Sequence, residues 1–270
     1  MDEIQEHYHL IEEKDRLSSG IGLLEKERTQ GILNRYIDKK NAVILDIGGG
    51  AGVYSIWLAS LGHSVHLVDA SAKHSEQAKK INEHSKEKLQ SISVGDARNL
   101  DQFPNESTDV ILLLGPLYHL VNKEDRVKAL DECWRILKKD GLLFTAGINR
   151  YASLYDGLLR GLIDDPMFMK ILKQDLCDGQ HRNETNNPQY FTTAIFQLPK
   201  EMEDELRTAG FSIKKTLPVE GPLWFVESFE ERWKNTQEKK KLLDILSSIE
   251  NEPFSLVLTQ HYVVVSAKNR

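Results

Sequence analysis

Residues 43–55 read VILDIGGGAGVYS, and this stretch decides the fold. Residues 43–47 form an apolar run with the pattern of a strand that is buried on both faces. Three glycines end the run, and residues 52–62 then have the pattern of a helix. Glycine lets the backbone turn tightly and lets a ligand approach it, so this order is typical of the first part of a nucleotide-binding βαβ unit.

The spacing of the glycines separates two classes of nucleotide. A dinucleotide fingerprint is G-x-G-x-x-G, which requires a glycine at position 53. This sequence has Val53 there, and Gly48, Gly50 and Gly52 form G-x-G-x-G instead. The spacing therefore argues against an NAD-linked oxidoreductase, which we keep as an alternative interpretation.

The rest of the first half alternates apolar runs with helical patterns. The predicted strands lie near 43–47, 64–69, 90–95, 108–114 and 142–148, and the predicted helices near 52–62, 72–87 and 124–138. Asp69 ends the second run, at about the 20-residue offset that suits a carboxylate binding ribose hydroxyls. Gly95, Asp96 and Ala97 follow the third run. The alternation predicts a parallel sheet with polar groups at the carboxyl ends of its strands.

These motifs resemble those of the class I S-adenosylmethionine (SAM) methyltransferases. The glycine turn with Asp46 before it resembles their motif I, D/E-x-G-x-G-x-G, and residues 95–97 resemble their adenine-contacting motif. Residues 109–114 resemble their fourth strand, and residues 137–144 resemble their L-K-P-G-G turn, although Lys139 and Asp140 stand where Pro and Gly are usual. The resemblance is strong over residues 40–148.

The resemblance implies a Rossmann-like α/β fold with a seven-stranded sheet in the order 3-2-1-4-5-7-6, in which the last strand is antiparallel. We expect a leading segment at 1–40 that folds over the cofactor and contains a helix at 18–40, a methyltransferase core at 41–148 and 198–270, and a cap insertion at 149–197 after the fifth strand. The later elements predicted from the sequence are helices at 154–162, 167–176, 198–210 and 226–249, a polar loop at 178–188, and strands at 211–217 and 256–267.

The resemblance also implies that SAM is the cofactor and S-adenosylhomocysteine (SAH) the product. Asp69 is then the acceptor for the ribose hydroxyls, Asp96 for the adenine amino group, and Asp46 for the methionine amino group through water. The other predicted cofactor contacts are Gly48, Gly49, Gly50, Gly52, Ala70, Ala97, Arg98, Leu114 and Gly115. Tyr8, Arg16 and Arg28 of the leading segment are candidates for the methionine end, and ordinary helix surface residues are the alternative.

Methyl transfer from SAM is an in-line displacement, so the protein mainly binds, aligns and excludes water. Tyr118 and His119 follow the fourth strand, where they would orient or deprotonate an acceptor, or would be structural. His181 is a further catalytic candidate in the insertion. Arg182, Tyr190 and Phe191 are further candidates there, and a structural role is the alternative for all four residues. Residues 115–118 are not N/D-P-P-Y/F, the signature of methylases that modify amino groups of nucleic acid bases and glutamine.

Composition limits the classes of partner that the protein is expected to bind. A chain of 270 residues with 40% hydrophobic content suits one elaborated domain, and a net charge of −6 argues against nucleic acid as the main partner. Cys133 and Cys177 have no metal-ligand spacing, so we expect no metal and two reduced thiols in a cytoplasmic protein. No apolar run reaches about 18 residues, so we expect no membrane span. The predicted activity is methyl transfer to a small-molecule acceptor by a monomer or homodimer, and a catalytically silent SAM-binding protein is the alternative.

Overall fold

The computed structural model describes residues 16–185, 187 and 189–269. The strands are β1 (Val43–Ile47), β2 (Ser64–Asp69), β3 (Ser91–Val94), β4 (Thr108–Leu113), β5 (Leu137–Ile148), β6 (Gln180–His181), β7 (Ala194–Ile195), β8 (Ser212–Pro218) and β9 (His261–Ala267). The α-helices are α1 (Gly22–Tyr36), α2 (Val53–Ser60), α3 (Ala72–His84), α4 (Pro116–His119), α5 (Lys123–Ile136), α6 (Ala152–Arg160), α7 (Pro166–Asp178), α8 (Pro199–Thr208), α9 (Phe229–Lys234), α10 (Thr236–Ile249) and α11 (Pro253–Val257).

Seven strands form the main sheet, in the order β3-β2-β1-β4-β5-β9-β8. The pairs β3–β2, β2–β1, β1–β4 and β4–β5 are parallel. β9 runs antiparallel to β5: the Asp140 N–H donates to the Lys268 carbonyl near one end, and the Asn149 N–H donates to the Gln260 carbonyl near the other. Because β8 and β9 are the sixth and seventh strands of this sheet along the chain, the predicted order 3-2-1-4-5-7-6 with an antiparallel last strand is confirmed.

The chain divides into two compact units. The described residues of the first unit are 16–33, 147–185, 187, 189–200 and 216–263, and those of the second are 34–146, 201–215 and 264–269. The second unit contains all of β1 to β4, and Ile44, Leu45, Ile111 and Leu112 of its central strands are fully buried. Fully buried apolar strands at the centre of a parallel sheet explain the continuous apolar runs in the sequence.

Three predicted element boundaries were wrong. The helix predicted at 18–40 is confined to α1, Gly22–Tyr36. The helix predicted at 226–249 is broken into α9 and α10, because Asn235 between them accepts hydrogen bonds from the N–H groups of Gln237 and Glu238 and starts a new helix. The strand predicted at 256–267 begins only at His261, since Pro253 starts the short helix α11 before it.

The insertion at 149–197 also differs from its predicted form. Its helices α6 and α7 lie close to the predicted positions. The segment predicted as a polar loop contains β6, which pairs antiparallel with β7, His181 opposite Ala194. Phe168, Ile171, Leu172 and Tyr190 form a buried cluster inside the insertion. The insertion therefore has an apolar core of its own within the first unit.

The turn-like segment at residues 137–141, at the start of β5, carries the departure from the family motif. Asp140, which stands at the motif's first glycine, has a φ of 62°, in the left-handed region that favours glycine. Its side chain is exposed, and its N–H donates to the Lys268 carbonyl. The backbone thus keeps the conformation that the usual glycine would adopt.

Asp140→Gly is expected to stabilise the protein by about 0.5–1 kcal/mol, because glycine removes the cost of the left-handed conformation and leaves the backbone bond intact. Urea unfolding of the variant and the wild type measures the difference. Lys139→Gly is the matched control, since Lys139 is also exposed but has no positive φ, and it should destabilise by a similar amount. Equal destabilisation by both substitutions would contradict the account of this turn.

Candidate active site

The glycine turn joins the ends of β1 and β2 in the second unit. The Gly48 N–H donates to the Val68 carbonyl at 2.7 Å, which continues the β1–β2 pairing beyond Ile47. The Gly50 N–H donates to the Asp69 carboxylate at 2.8 Å. Asp69 is buried at the last position of β2. The carboxylate at the end of β2 and the glycine turn after β1 therefore form one hydrogen-bonded unit.

Two glycines of the turn are required by their surroundings. Gly48 has a φ of 72°, and a Cβ there would lie 2.6 Å from Cγ of Pro116. A Cβ at Gly49 would lie 2.7 Å from a carboxylate oxygen of Asp46. At Gly50, by contrast, none of the described residues has an atom within 4 Å of the Cβ position. The turn thus packs tightly against Asp46 and Pro116 and presents an open backbone at Gly50.

Asp46 is a buried acid beside this turn. Its exposed fraction is 2%, and its carboxylate accepts a hydrogen bond of 2.6 Å from the Ser55 hydroxyl of α2. Burial is the main cause that raises the pKa of Asp46, to about 6; the Ser55 hydrogen bond lowers the pKa, and the negative charge of Asp69 raises it further. Burial of the ionised Asp46 carboxylate is unfavourable for folding, and titratable groups with a perturbed pKa of this kind are concentrated at functional sites.

The raised pKa of Asp46 predicts a pH-dependent stability. Because the folded state holds the Asp46 proton more tightly than the unfolded chain, this group lowers stability as pH rises from about 4 to about 6 and has its full unfavourable effect above that range. Asp46→Asn removes the ionisation and keeps an acceptor for Ser55. It should therefore gain about 2 kcal/mol more stability at pH 8 than at pH 4.5.

Urea unfolding of the wild type and Asp46→Asn at both pH values tests this prediction. Asp101→Asn is the control, because Asp101 is exposed and should show no such difference. Parallel pH profiles for the wild type and Asp46→Asn would show that Asp46 does not titrate near pH 6.

Asp96 lies beyond β3 and forms an ion pair with Arg98. Its carboxylate accepts hydrogen bonds from the Arg98 backbone N–H at 2.8 Å and from the guanidinium, which also contacts Asp125. The hydrogen bonds from Arg98 lower the pKa of Asp96. The Gly95 N–H donates to the Asp69 carbonyl at 3.0 Å. Asp96 is thus held as an ionised acceptor, and backbone hydrogen bonding connects the end of β3 to the end of β2.

The segment after β4 packs against the glycine turn. A Cβ at Gly115 would lie 3.7 Å from the Gly48 carbonyl and 3.6 Å from the Tyr118 hydroxyl. The rings of Tyr118 and His119 meet edge to face, with centroids 4.6 Å apart. The structure therefore places the Tyr118 hydroxyl near Gly115, which lies against the turn, and packs the His119 ring on Tyr118. Of the remaining predicted contacts, Ala70 is exposed, Ala97 is buried, and Leu114 is half-buried.

Arg28 of the leading segment is engaged by protein groups and is not available to a ligand. Arg28 is buried in α1, where its guanidinium pairs with Glu250 and donates to the Pro218 carbonyl. A salt bridge of this kind gives Arg28 a structural role in the first unit and argues against the predicted contact with the methionine carboxylate. Arg16 makes a bidentate, largely exposed pair with Glu25. The candidate Tyr8 lies outside the described residues.

The catalytic role predicted for His181 is corrected by its burial. The exposed fraction of His181 is 1%, its Nδ1 lies 2.8 Å from Oδ2 of Asp175, and its Nε2 donates to the Phe191 carbonyl at 3.1 Å. The Ser153 hydroxyl donates to the same Asp175 oxygen, and the His181 ring stacks on Phe196 at 4.7 Å. A general base needs an accessible nitrogen, and both ring nitrogens are engaged inside the insertion.

The further candidates of the insertion are also engaged within the first unit. The Tyr190 hydroxyl donates to Asp165, which caps α7. The exposed Arg182 guanidinium donates to the Gln180 side chain at 2.9 Å. Phe191 supplies the carbonyl that accepts from His181. Of the two roles that the sequence left open for these residues, a structural role and contact with the acceptor, the observed contacts support the structural one.

Glu25, Glu220 and His261 of the first unit form a group that the sequence did not indicate, because they lie far apart in the chain. Their ligand atoms come within 4.8 Å of one another, a spacing that metal ligands share. Glu220 is fully buried and lies 2.7 Å from Nδ1 of His261, while Arg16 binds Glu25. The negative charge of Glu220 raises the pKa of His261 against the effect of burial. The group is therefore a charge-balanced network of its own side chains.

Comparisons with known proteins agree with this geometry. Residues 45–145, which run from β1 into β5, match the model of the family described as "Methyltransferase domain". Within the described residues, no helix is both long enough and apolar enough to cross a membrane.

Two sequence relatives carry methyltransferase names. An uncharacterized methyltransferase of Anoxybacillus flavithermus is 27% identical over 209 residues, which cover 74% of this chain and 83% of that protein. A glycine/sarcosine N-methyltransferase of Parasynechococcus marenigrum is 33% identical over 119 residues, which cover 44% of this chain and 40% of that protein.

A solved structure shares the fold. It is the SAM-dependent methyltransferase of Methanosarcina mazei, with a TM-score of 0.60 and 20% identity over 88% of this chain and 96% of that one. The matched family model, the named relatives and the sheet order agree with one another. Residues 45–145 thus match a methyltransferase domain, and the sheet order is that of the class I SAM-dependent methyltransferase fold.

Proposed function

We propose that the glycine turn, Asp69 and Asp96 hold SAM, and that the enzyme methylates a small molecule. The observation that carries the cofactor site is the open Gly50 backbone bonded to the Asp69 carboxylate at the ends of neighbouring parallel strands. Ligands of open α/β sheets bind at this edge. A buried acid, an accessible turn and two acceptor carboxylates fit the amino, ribose and adenine groups of this cofactor.

Each side chain then has a defined task. Asp69 accepts hydrogen bonds from the ribose hydroxyls, and Asp96 accepts one from the adenine amino group, with Arg98 keeping it ionised. Gly48 to Gly52 border the methionine part, and Asp46 receives the amino group through water. A nearby cation would draw Asp46 into its ionised form, so binding would release a proton from it near pH 6.

SAM, when bound, supplies an activated methyl group, so the protein needs to align the acceptor and exclude water. Tyr118 and His119 are placed for alignment, because α4 packs on the glycine turn. The chain has a net charge of −6, which favours a small acceptor over the negatively charged backbone of a nucleic acid. The relative named for glycine and sarcosine has acceptors of this class.

Transfer of a labelled methyl group tests the proposal. The purified protein is incubated with trideuteromethyl SAM and a metabolite extract, with and without the macromolecular fraction, and mass spectrometry follows the label. We expect a labelled small molecule and an equal amount of SAH. Label confined to protein or nucleic acid would replace the small-molecule acceptor with a macromolecule. Tight SAH binding with no transfer to either fraction would favour a catalytically silent SAM-binding protein.

A further inference from the structure

His74 of α3 contacts the carboxylate that the proposed function assigns to the ribose. Its Nδ1 lies 3.3 Å from Oδ1 of Asp69, and the exposed fractions of His74 and Asp69 are 6% and 7%. The same oxygen accepts the Ser71 N–H at 2.8 Å, and the opposite oxygen accepts the Gly50 N–H at 2.8 Å. The carboxylate is thus held from both sides, and rotation about its Cβ–Cγ bond would break these bonds.

The start of α3 explains why the ring is available for this contact. Ser71 caps the helix, and its hydroxyl accepts the His74 N–H at 3.3 Å. His74 is therefore the third residue of the helix, the position from which Glu or Gln reaches back in a capping box. Here the side chain is an imidazole, and it reaches back to Asp69 instead.

We propose that His74 is a positioning residue for cofactor binding, holding the Asp69 carboxylate in the orientation that receives the ribose hydroxyls. This inference rests on the proposed function of Asp69. Asp69 binds the ribose, and His74 acts only through Asp69. A hydrogen bond between protein groups contributes about 0.5–1.5 kcal/mol, so the loss of orientation should be moderate. His74→Ala should weaken SAH binding about fivefold, equivalent to ~1 kcal/mol.

Calorimetric titration of SAH into the wild type and five variants tests the inference. His74→Asn carries an amide nitrogen near the position of Nδ1 and should bind SAH within about twofold of the wild type, whereas His74→Ala should bind about fivefold more weakly. His84→Ala is the matched control, because His84 lies exposed on the same helix, and it should bind normally. Thermal melts confirm that each variant is folded at the titration temperature.

The decisive variant is Asp69→Ala combined with His74→Ala. If His74 acts through Asp69, the double variant should bind SAH as weakly as Asp69→Ala alone. A full additional loss in the double variant, or unchanged binding by His74→Ala, would overturn the positioning role while leaving the cofactor site in place. A wild-type protein that binds no SAH would overturn the proposed function, and the inference with it.

Discussion

Asp69→Ala is expected to weaken SAH binding at least tenfold. The carboxylate is assigned both ribose hydroxyls, and a hydrogen bond to a charged acceptor contributes about 1.5–3 kcal/mol. Calorimetric titration measures the loss directly. The substitution also leaves the N–H groups of Gly50 and Ser71 without their acceptor, so unfolding must be followed in parallel.

Two further variants make the Asp69 result specific. Asp69→Asn keeps one acceptor oxygen and should bind SAH with intermediate affinity. Asp101→Ala removes an exposed carboxylate from the loop before β4 and should bind like the wild type. An unchanged dissociation constant for folded Asp69→Ala would mean that the end of β2 does not hold the ribose.

His181→Ala is expected to destabilise the protein by about 3–5 kcal/mol. The substitution leaves the fully buried Asp175 with the Ser153 hydroxyl and without its imidazole partner, and removing one member of a buried pair has a cost of this size. It also removes the ring that stacks on Phe196. Urea unfolding or a thermal melt measures the effect.

Arg182→Ala is the matched control for His181→Ala. Arg182 is the next residue in the chain and is exposed, so its loss should change stability by less than about 0.5 kcal/mol. Below its melting temperature, His181→Ala should bind SAH normally. A variant that is as stable as the wild type and loses methyl transfer would restore the catalytic role that the sequence suggested.

The central strands of the sheet could be predicted for a physical reason, whereas the strand order was implied by the resemblance to the family. Strands buried on both faces must be apolar throughout, so β1 and β4 stand out as runs, and the glycine turn identifies the first βα unit. The pairing of Gly50 with Asp69 follows from the same topology, because β1 and β2 are neighbours and parallel. Features that arise from local geometry could therefore be predicted from the sequence.

Features that depend on contacts between distant segments could not be predicted from the sequence. His181 is buried because Asp175 and Ser153 lie on helices that fold against it, and a polar stretch in the sequence gives no sign of this. Arg28 meets Glu250 across more than two hundred residues. A charged residue in a helical pattern is usually exposed, so the sequence alone indicates a surface position for Arg28 and for Glu250.

The boundary errors have a local cause that the sequence contains. Asn235 is a good N-cap residue and Pro253 is a good first helical residue, yet both lie within stretches whose apolar pattern continues across them. At both positions the residue that starts a helix, and not the apolar periodicity, decides where the element is divided.

A crystal structure of the SAH complex tests the central claim most directly. The account predicts that both ribose hydroxyls lie within hydrogen-bond distance of the Asp69 carboxylate, that the adenine amino group contacts Asp96, and that the homocysteine part lies along Gly48 to Gly52. SAH bound away from the glycine turn, or with its ribose turned from Asp69, would contradict the account.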